Sequence, residues 1–121
     1  AREAVLTMLD IKVKHIGINS ADEAEADNTA NIFSAIMGAE QKDGSKSIFA
    51  GSEIEVMKFM GVGKCGHIGL ATTSVPRAIR YFESQGFEFD ADSFTYDDKG
   101  EVKFAYFKGD IGGFGVHLVT K

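Results

Sequence analysis

The sequence predicts an α+β fold in which two βαβββ modules form one cupped mixed sheet. Two observations carry this prediction. A strand-like phrase, histidine-isoleucine-glycine followed by an aliphatic residue, occurs twice, at His15 and at His67. Each occurrence precedes a segment with helical periodicity and then three short strand-like segments. Corresponding features that recur in the same order indicate a duplicated structural unit.

The first module covers about residues 11–60. Residues 13–19 predict its first strand, and residues 21–37 predict a helix whose acidic first turn suits the positive end of the helix dipole. Gly38 follows at the position of a C-terminal cap. Three further strands are predicted at 39–41, 46–50 and 54–59.

The second module covers about residues 66–121 and follows a glycine-rich linker that reverses the chain. After a strand at 67–72, Ser74 is a suitable helix N-cap, and Pro76 is tolerated in a first turn because the N–H it lacks would be unpaired there. Gly86 ends the helix. Three strands are then predicted at 87–89, 101–108 and 114–119.

Composition limits the classes of function. The chain has 121 residues, 44% of them hydrophobic, which is enough for one domain with a core. Its net charge of −5 argues against a nucleic-acid surface, and it has no long apolar run that would span a membrane. A single cysteine, Cys65, excludes an internal disulfide, so we predict a cytoplasmic protein. We also expect a homo-oligomer.

Strand periodicity groups the polar residues on one face. Neighbouring residues of a strand face opposite sides of the sheet, so Ile16 and Ile18 place His15 on the other face. The aliphatic neighbours of three other residues lead to the same conclusion for Glu55, His67 and His117. Glycines at 17, 69 and 115 share this face and leave it open for a ligand.

Three imidazoles and a carboxylate suit a divalent cation such as Zn, Ni, Co, Mn or Fe. The predicted metal ligands are therefore His15, Glu55, His67 and His117. Glu53 has the same strand parity as Glu55 and competes with it for this role. Taken singly, each histidine has a structural interpretation as a core or surface group, and Glu55 has one as a solvated residue.

These motifs resemble the vicinal oxygen chelate superfamily, which includes glyoxalase I, extradiol dioxygenases, epimerases and metal-thiol resistance proteins. The resemblance covers residues 13–119 and implies a glyoxalase-like fold, with metal ligands on the first and last strands of each module. Those positions are the four residues named above. In glyoxalase I and the dioxygenases the last ligand is usually glutamate, whereas this chain has His117.

The first residues carry a second resemblance. Residues 4–9 followed by 14–19 resemble the junction in bacterial aldolases for 2-keto-4-hydroxyglutarate and 2-keto-3-deoxy-6-phosphogluconate, which carry a glyoxalase-like domain after the aldolase barrel. We therefore expect residues 1–10 to be the tail of an upstream domain's helix. The upstream aldolase domain would be a partner, and the lysine chemistry of the aldolase would belong to it.

Two functions remain open at this point. In the first, the metal chelates a small 2-oxo acid or hydroxy-carbonyl compound, and Glu55 or His117 transfers a proton during enolisation, isomerisation or epimerisation. Such an activity would be that of a lyase or an isomerase. In the second, the domain is a non-catalytic ligand-binding or dimerisation module that regulates the aldolase. The sequence also leaves open whether the modules pair within one chain or between two.

Overall fold

A computed structural model describes residues 2–121. The elements follow in the order α1 (Arg2–Leu9), β1 (Lys12–Ile18), α2 (Glu23–Met37), β2 (Gln41–Asp43), β3 (Ser47–Ala50), β4 (Ile54–Met57), β5 (Gly66–Thr72), α3 (Val75–Ser84), β6 (Phe89–Tyr96), β7 (Val102–Phe107) and β8 (Phe114–Thr120). No helix in this range is long and apolar enough to cross a membrane.

All eight strands form one mixed sheet with the order β2-β3-β4-β1-β5-β8-β7-β6. The first strand of each module pairs in parallel with the last strand of the same module, β1 with β4 and β5 with β8. The two modules meet where β1 and β5 pair antiparallel. The predicted α+β class with two βαβββ modules is therefore confirmed, and in this structure the modules pair within one chain.

Both long helices have the end signals that the sequence indicates. The side chain of Asp22 caps α2 by accepting a hydrogen bond from the Glu25 amide at 2.8 Å. Gly38 ends this helix in the left-handed conformation, with φ of 62°, which favours glycine. In α3, Ser74 accepts a hydrogen bond from the Arg77 amide at 3.2 Å.

The helices cover the two outer parts of one sheet face. Helix α2 packs against β3 and β4, and α3 packs against β7 and β8. The first cluster of core residues is small and contains Ala26, Ala30, Ile48 and Val56. The second is larger and contains Leu9, Val75, Ala78, Ile79, Ala105, Phe107, Val116 and Leu118. The predicted strand parity is borne out by Val56, Val116 and Leu118, which are buried beneath the helices.

Some predicted details are wrong. The helical spacing of Ala26, Ala30, Phe33 and Met37 predicts one buried face, but Met37 is 44% exposed, because α2 contacts the sheet chiefly through Ala26 and Ala30. Ile16 is 37% exposed, since neither helix packs mainly over the central strand β1. The strand predicted at 87–89 overlaps the observed strand β6, which runs from Phe89 to Tyr96, at Phe89 alone. This edge strand is polar and its pairing is irregular after Asp90, so it lacks a clear two-residue period.

Helix α1 is part of the packing of the second module. Leu9 is 2% exposed and lies in the larger core cluster. Its carbonyl accepts hydrogen bonds from the Thr72 hydroxyl at 2.7 Å and from the Thr73 amide at 3.0 Å. Asp10 follows the helix and forms ion pairs with Lys12 and Lys121. Of the predicted upstream tail 1–10, Ala1 lies outside the described residues, and the origin of this helix in another domain stays a prediction.

Leu9→Ala tests whether α1 is integral to the domain. Removing a buried leucine side chain is expected to lower the free energy of unfolding by about 2–5 kcal/mol. Met8→Ala is the matched control because Met8 is 61% exposed, and it should change stability little. Urea unfolding of both variants measures the effect. Equal stability of the two variants would contradict the packing described here.

Candidate metal centre

Four neighbouring strands in the middle of the sheet carry the predicted ligands. In one row across β4, β1, β5 and β8, the paired residues are Glu55, Gly17, His67 and Gly115. Directly paired residues point to the same face of a sheet, so this row alternates large side chains with glycine. The next row, across β1, β5, β8 and β7, is His15, Gly69, His117 and Tyr106. All four predicted ligands therefore lie on one face.

The donor atoms of these four residues converge. The His67 Nε2 lies 3.1 Å from the His15 Nε2 and 3.0 Å from the Glu55 Oε1. The His15 Nε2 lies 3.4 Å from the His117 Nε2 and 3.6 Å from the Glu55 Oε1. Strands two places apart are separated by about 9.5 Å in a flat sheet. The side chains therefore lean toward one another over the glycines between them.

The glycines create the space for this convergence. A methyl group added at Gly17 would collide with the His67 ring. One added at Gly69 would lie 2.6 Å from the His15 Cε1 and 2.9 Å from the His117 Cε1. Both separations are far shorter than van der Waals contact. Glycine at these two positions is thus a steric requirement of the histidine cluster.

Glu55, and not Glu53, faces the histidines. The Ser47 hydroxyl donates a hydrogen bond of 2.8 Å to the Glu55 Oε2, while the Glu55 Oε1 is joined to His67. Glu53 is exposed and lies just before β4, where its backbone carbonyl accepts a hydrogen bond from the Ile16 amide. The parity argument alone left both glutamates open. The sequence did not predict this role for Ser47, because a single serine in a strand carries no distinctive signal.

The ionisation states suit a cation. Burial lowers the pKa of the His117 imidazole to about 4, with further contributions from the neighbouring histidines. Burial also lowers the pKa of the His15 imidazole. The hydrogen bond with His67 lowers the pKa of the Glu55 carboxyl, and Ser47 adds to that shift. At neutral pH the site therefore presents unprotonated imidazoles at His15 and His117 beside a carboxylate.

Aromatic side chains surround His117. The Phe104 ring stacks on its imidazole with a centroid distance of 4.3 Å, and the Tyr106 ring meets it edge-on at 5.2 Å. Burial raises the pKa of the Tyr106 phenol. Aromatic residues in a strand are more often core residues than part of a ligand site, but of Phe104, Tyr106 and Phe107 only Phe107 belongs to the core cluster. Strand alternation could have distinguished these residues, because Phe104 and Tyr106 share the sheet face of His117, whereas Phe107 points to the opposite face.

The donor set fits a divalent metal. Metal–nitrogen bonds of about 2.0–2.1 Å at tetrahedral angles place ligand atoms about 3.3 Å apart. The His15 Nε2 lies 3.1 to 3.6 Å from donor atoms of His67, His117 and Glu55, and the His67 Nε2 lies 3.0 Å from Glu55, which is close to this spacing. His117 also has a buried Nδ1 without a hydrogen-bond partner among the described residues. His15, His67 and His117 offer donor atoms that all lie within 4.8 Å of one another, as a shared cation requires.

No family model and no curated protein sequence matches this chain. Among solved structures, the hypothetical protein BH1468 from Bacillus halodurans C-125 matches with a TM-score of 0.62 and 14% identity, over 93% of this chain and 95% of that one. A methylmalonyl-CoA epimerase in complex with methylmalonyl-CoA and NH4+ matches with a TM-score of 0.61 and 19% identity, over 91% and 94%.

The methylmalonyl-CoA epimerase from Mycobacterium tuberculosis has a TM-score of 0.61 and 14% identity, with 93% of this chain and 89% of that chain covered. Methylmalonyl-CoA epimerases belong to the vicinal oxygen chelate superfamily that the sequence motifs resemble. At identities this low, the likeness establishes the fold and not the activity. The chain therefore has the glyoxalase-like fold that the sequence predicts.

Gly69→Ala tests whether the glycines support the metal centre. The added methyl group would displace the rings of His15 and His117, so we expect affinity for Zn²⁺ to fall about 10–100-fold, as on loss of other groups that orient ligands. Gly61→Ala is the control because its methyl group would have no neighbour nearer than 3.4 Å. Competition with a chelator measures both affinities. Unchanged Zn²⁺ affinity in Gly69→Ala would contradict the steric role.

Proposed function

We propose that this chain is a divalent-metal-binding protein that chelates a small 2-oxo acid or hydroxy-carbonyl compound and promotes proton transfer beside its carbonyl group. The observation that carries the proposal is that donor atoms of His15, His67 and His117 all lie within 4.8 Å of one another, with the Glu55 carboxylate beside His67 and His15. Enolisation, isomerisation and epimerisation all share this proton transfer. The resident metal would be Zn, Ni, Co, Mn or Fe, since nitrogen-rich donor sets suit these cations.

The four converging side chains would hold the metal. When bound, a divalent cation would supply Lewis-acid stabilisation of negative charge on two neighbouring substrate oxygens. The protein's own contribution is positional. The sheet backbone holds each ligand, the glycines let the side chains approach one another, and the stacked Phe104 ring holds the orientation of His117.

Glu55 is the proton acceptor that the geometry favours. Its carboxylate is ionised at neutral pH, and Ser47 holds the Oε2 in place while the Oε1 faces the histidines. A carboxylate positioned in this way, once it had left the coordination shell of the metal, would accept a proton from a carbon acid and return it. His117 is the second proton-transfer residue that we propose. Its neutral imidazole can accept a proton, although burial lowers its pKa to about 4.

The structural neighbours are consistent with this reaction class. Their names describe epimerases of methylmalonyl-CoA. Epimerisation at a carbon next to a carbonyl group removes a proton and returns it on the opposite face. The same fold in this chain, with a carboxylate and an imidazole on the concave face, supports a related proton transfer. The acyl compound bound by the neighbours does not identify the substrate here.

The alternative, a non-catalytic ligand-binding or dimerisation module that regulates an aldolase, shares the metal site and differs in turnover. It is favoured by the absence of a second carboxylate among the described residues that contact the cluster. The upstream aldolase domain and the homo-oligomer stay predictions. The aldolase domain rests on the sequence resemblance around residues 4–19 alone, and α1 in that segment packs on the second module.

His67→Ala tests the metal centre and the reaction together. His67 contacts both His15 and Glu55, so its loss should reduce bound Zn²⁺ or Co²⁺ from about one per chain to a small fraction. Elemental analysis by mass spectrometry measures the bound metal. Exchange of the hydrogens at C3 of 2-oxobutyrate with deuterium oxide, followed by NMR, measures proton transfer. Full exchange without bound metal would overturn the proposal.

Glu55→Gln separates catalysis from ligand binding. At saturating metal, the exchange rate should fall about 100-fold or more, since an amide accepts a proton poorly. Glu53→Gln is the matched control, because Glu53 is exposed and lies outside the cluster. Exchange at the level of the uncatalysed reaction in the metal-loaded wild type would favour the binding-module function instead.

A further inference from the structure

A cleft of about 510 Å³ adjoins the metal centre. Its walls come from the linker before β5, from β6 and from β7 with the loop that follows it. Phe104 and Tyr106 line this cleft and also contact the His117 ring from the other side. These two aromatic side chains therefore border both the cleft and the metal centre. Pockets of this size hold ligands considerably larger than a three-carbon acid.

Gly115 lies between the cleft and the metal centre, because it lines the cleft and pairs with His67 in the sheet. A methyl group added there would lie 2.6 Å from the Val62 Cγ1 and 3.2 Å from the Tyr106 Cε1. Val62 and Tyr106 thus cover Gly115 at the boundary between the cleft and the metal centre. Asn19 holds the linker at this point through hydrogen bonds to the carbonyls of Gly61 and Gly63.

Most polar groups of the cleft are already engaged with the protein. The Ser93 hydroxyl donates to the Asp90 carbonyl at 2.6 Å and accepts from the Tyr106 amide at 2.8 Å. The Asp90 carboxylate accepts from the Asp92 amide. The Asp110 carboxylate accepts from the Lys64 amide. What remains available to a ligand is chiefly apolar surface from Val62, Phe104 and Tyr106.

The charge of the cleft disfavours an anionic group. Asp90 and Asp110 contribute two negative charges, and Lys108 contributes one positive charge. A second carboxylate or a phosphate placed here would meet a net negative lining. An uncharged apolar group would meet no such penalty and would gain from removal of apolar surface from water.

We propose that this cleft binds an uncharged apolar group of the substrate, and that Val62 determines how large this group can be. The apolar group would be attached to the head of the substrate, which is the 2-oxo acid or hydroxy-carbonyl part that the metal would chelate. The inference rests on the proposed function, since the oxygens of the head would lie at the metal centre. It narrows the substrate class from 2-oxo acids and hydroxy-carbonyl compounds in general to those with an aromatic or branched aliphatic substituent.

Calorimetric titration of the Zn²⁺-loaded protein tests the inference with three acids that share one head. Phenylpyruvate carries an apolar ring, pyruvate carries no substituent on its methyl group, and 2-oxoglutarate carries a second carboxylate. We expect phenylpyruvate to bind about tenfold or more tightly than pyruvate, and 2-oxoglutarate no more tightly than pyruvate. Val62→Phe should remove the advantage of phenylpyruvate over pyruvate.

Met60→Phe is the control variant. It adds the same side chain to the same linker at a residue that is 62% exposed and does not line the cleft. Its three affinities should equal those of the wild type. Equal affinities of the wild type for phenylpyruvate and pyruvate, or a higher affinity for 2-oxoglutarate, would overturn the inference alone. Failure of all three acids to bind the loaded protein would overturn the proposed function as well.

Discussion

The steric relation between histidine and glycine on neighbouring strands is the constraint on which the rest of the site depends. Each imidazole on β1, β5 and β8 lies beside a glycine on an adjacent strand. Without that glycine, side chains from strands two places apart could not bring their donor atoms within about 3.5 Å. The repeated histidine-isoleucine-glycine phrase therefore encodes both a donor and the space for the donor on the neighbouring strand.

The isoleucine of the same phrase has a different role. Ile68 packs against the larger core cluster, which fixes the face on which His67 must lie. A slip of one residue in the register of β5 would bury the imidazole beneath the helices and expose the aliphatic side chains. Core packing and donor orientation are thus determined by the same two-residue period. No further interaction is needed to fix the register of the strands that carry the proposed metal ligands.

The two halves of the molecule are related in topology but differ in packing. The second half has a large core completed by Leu9 of α1 and several aromatic residues. The first half has a small core built on two alanines of α2. The cleft lies on the side of the second half, where Phe104 and Tyr106 extend the face that carries His117. The duplicated fold therefore presents an asymmetric surface to a ligand.

Much of this could be predicted because it depends on local periodicity. The repeat, the strand parity of His15, His67 and His117, and the capping residues Asp22 and Ser74 are all properties of short segments. The predictions that failed also concern single elements. The edge strand β6 has no clear alternation, and the exposure of Met37 depends on how closely α2 approaches the sheet.

Local sequence patterns were sufficient to predict the α+β class, the two modules and the face on which each donor residue lies. Three relations became visible in the folded chain: β1 and β5 pair within one chain, Glu55 faces the histidines with Ser47 behind it, and Phe104 and Tyr106 border His117. These relations join residues that are distant in sequence. They follow from strand order and sheet curvature, which no local period records.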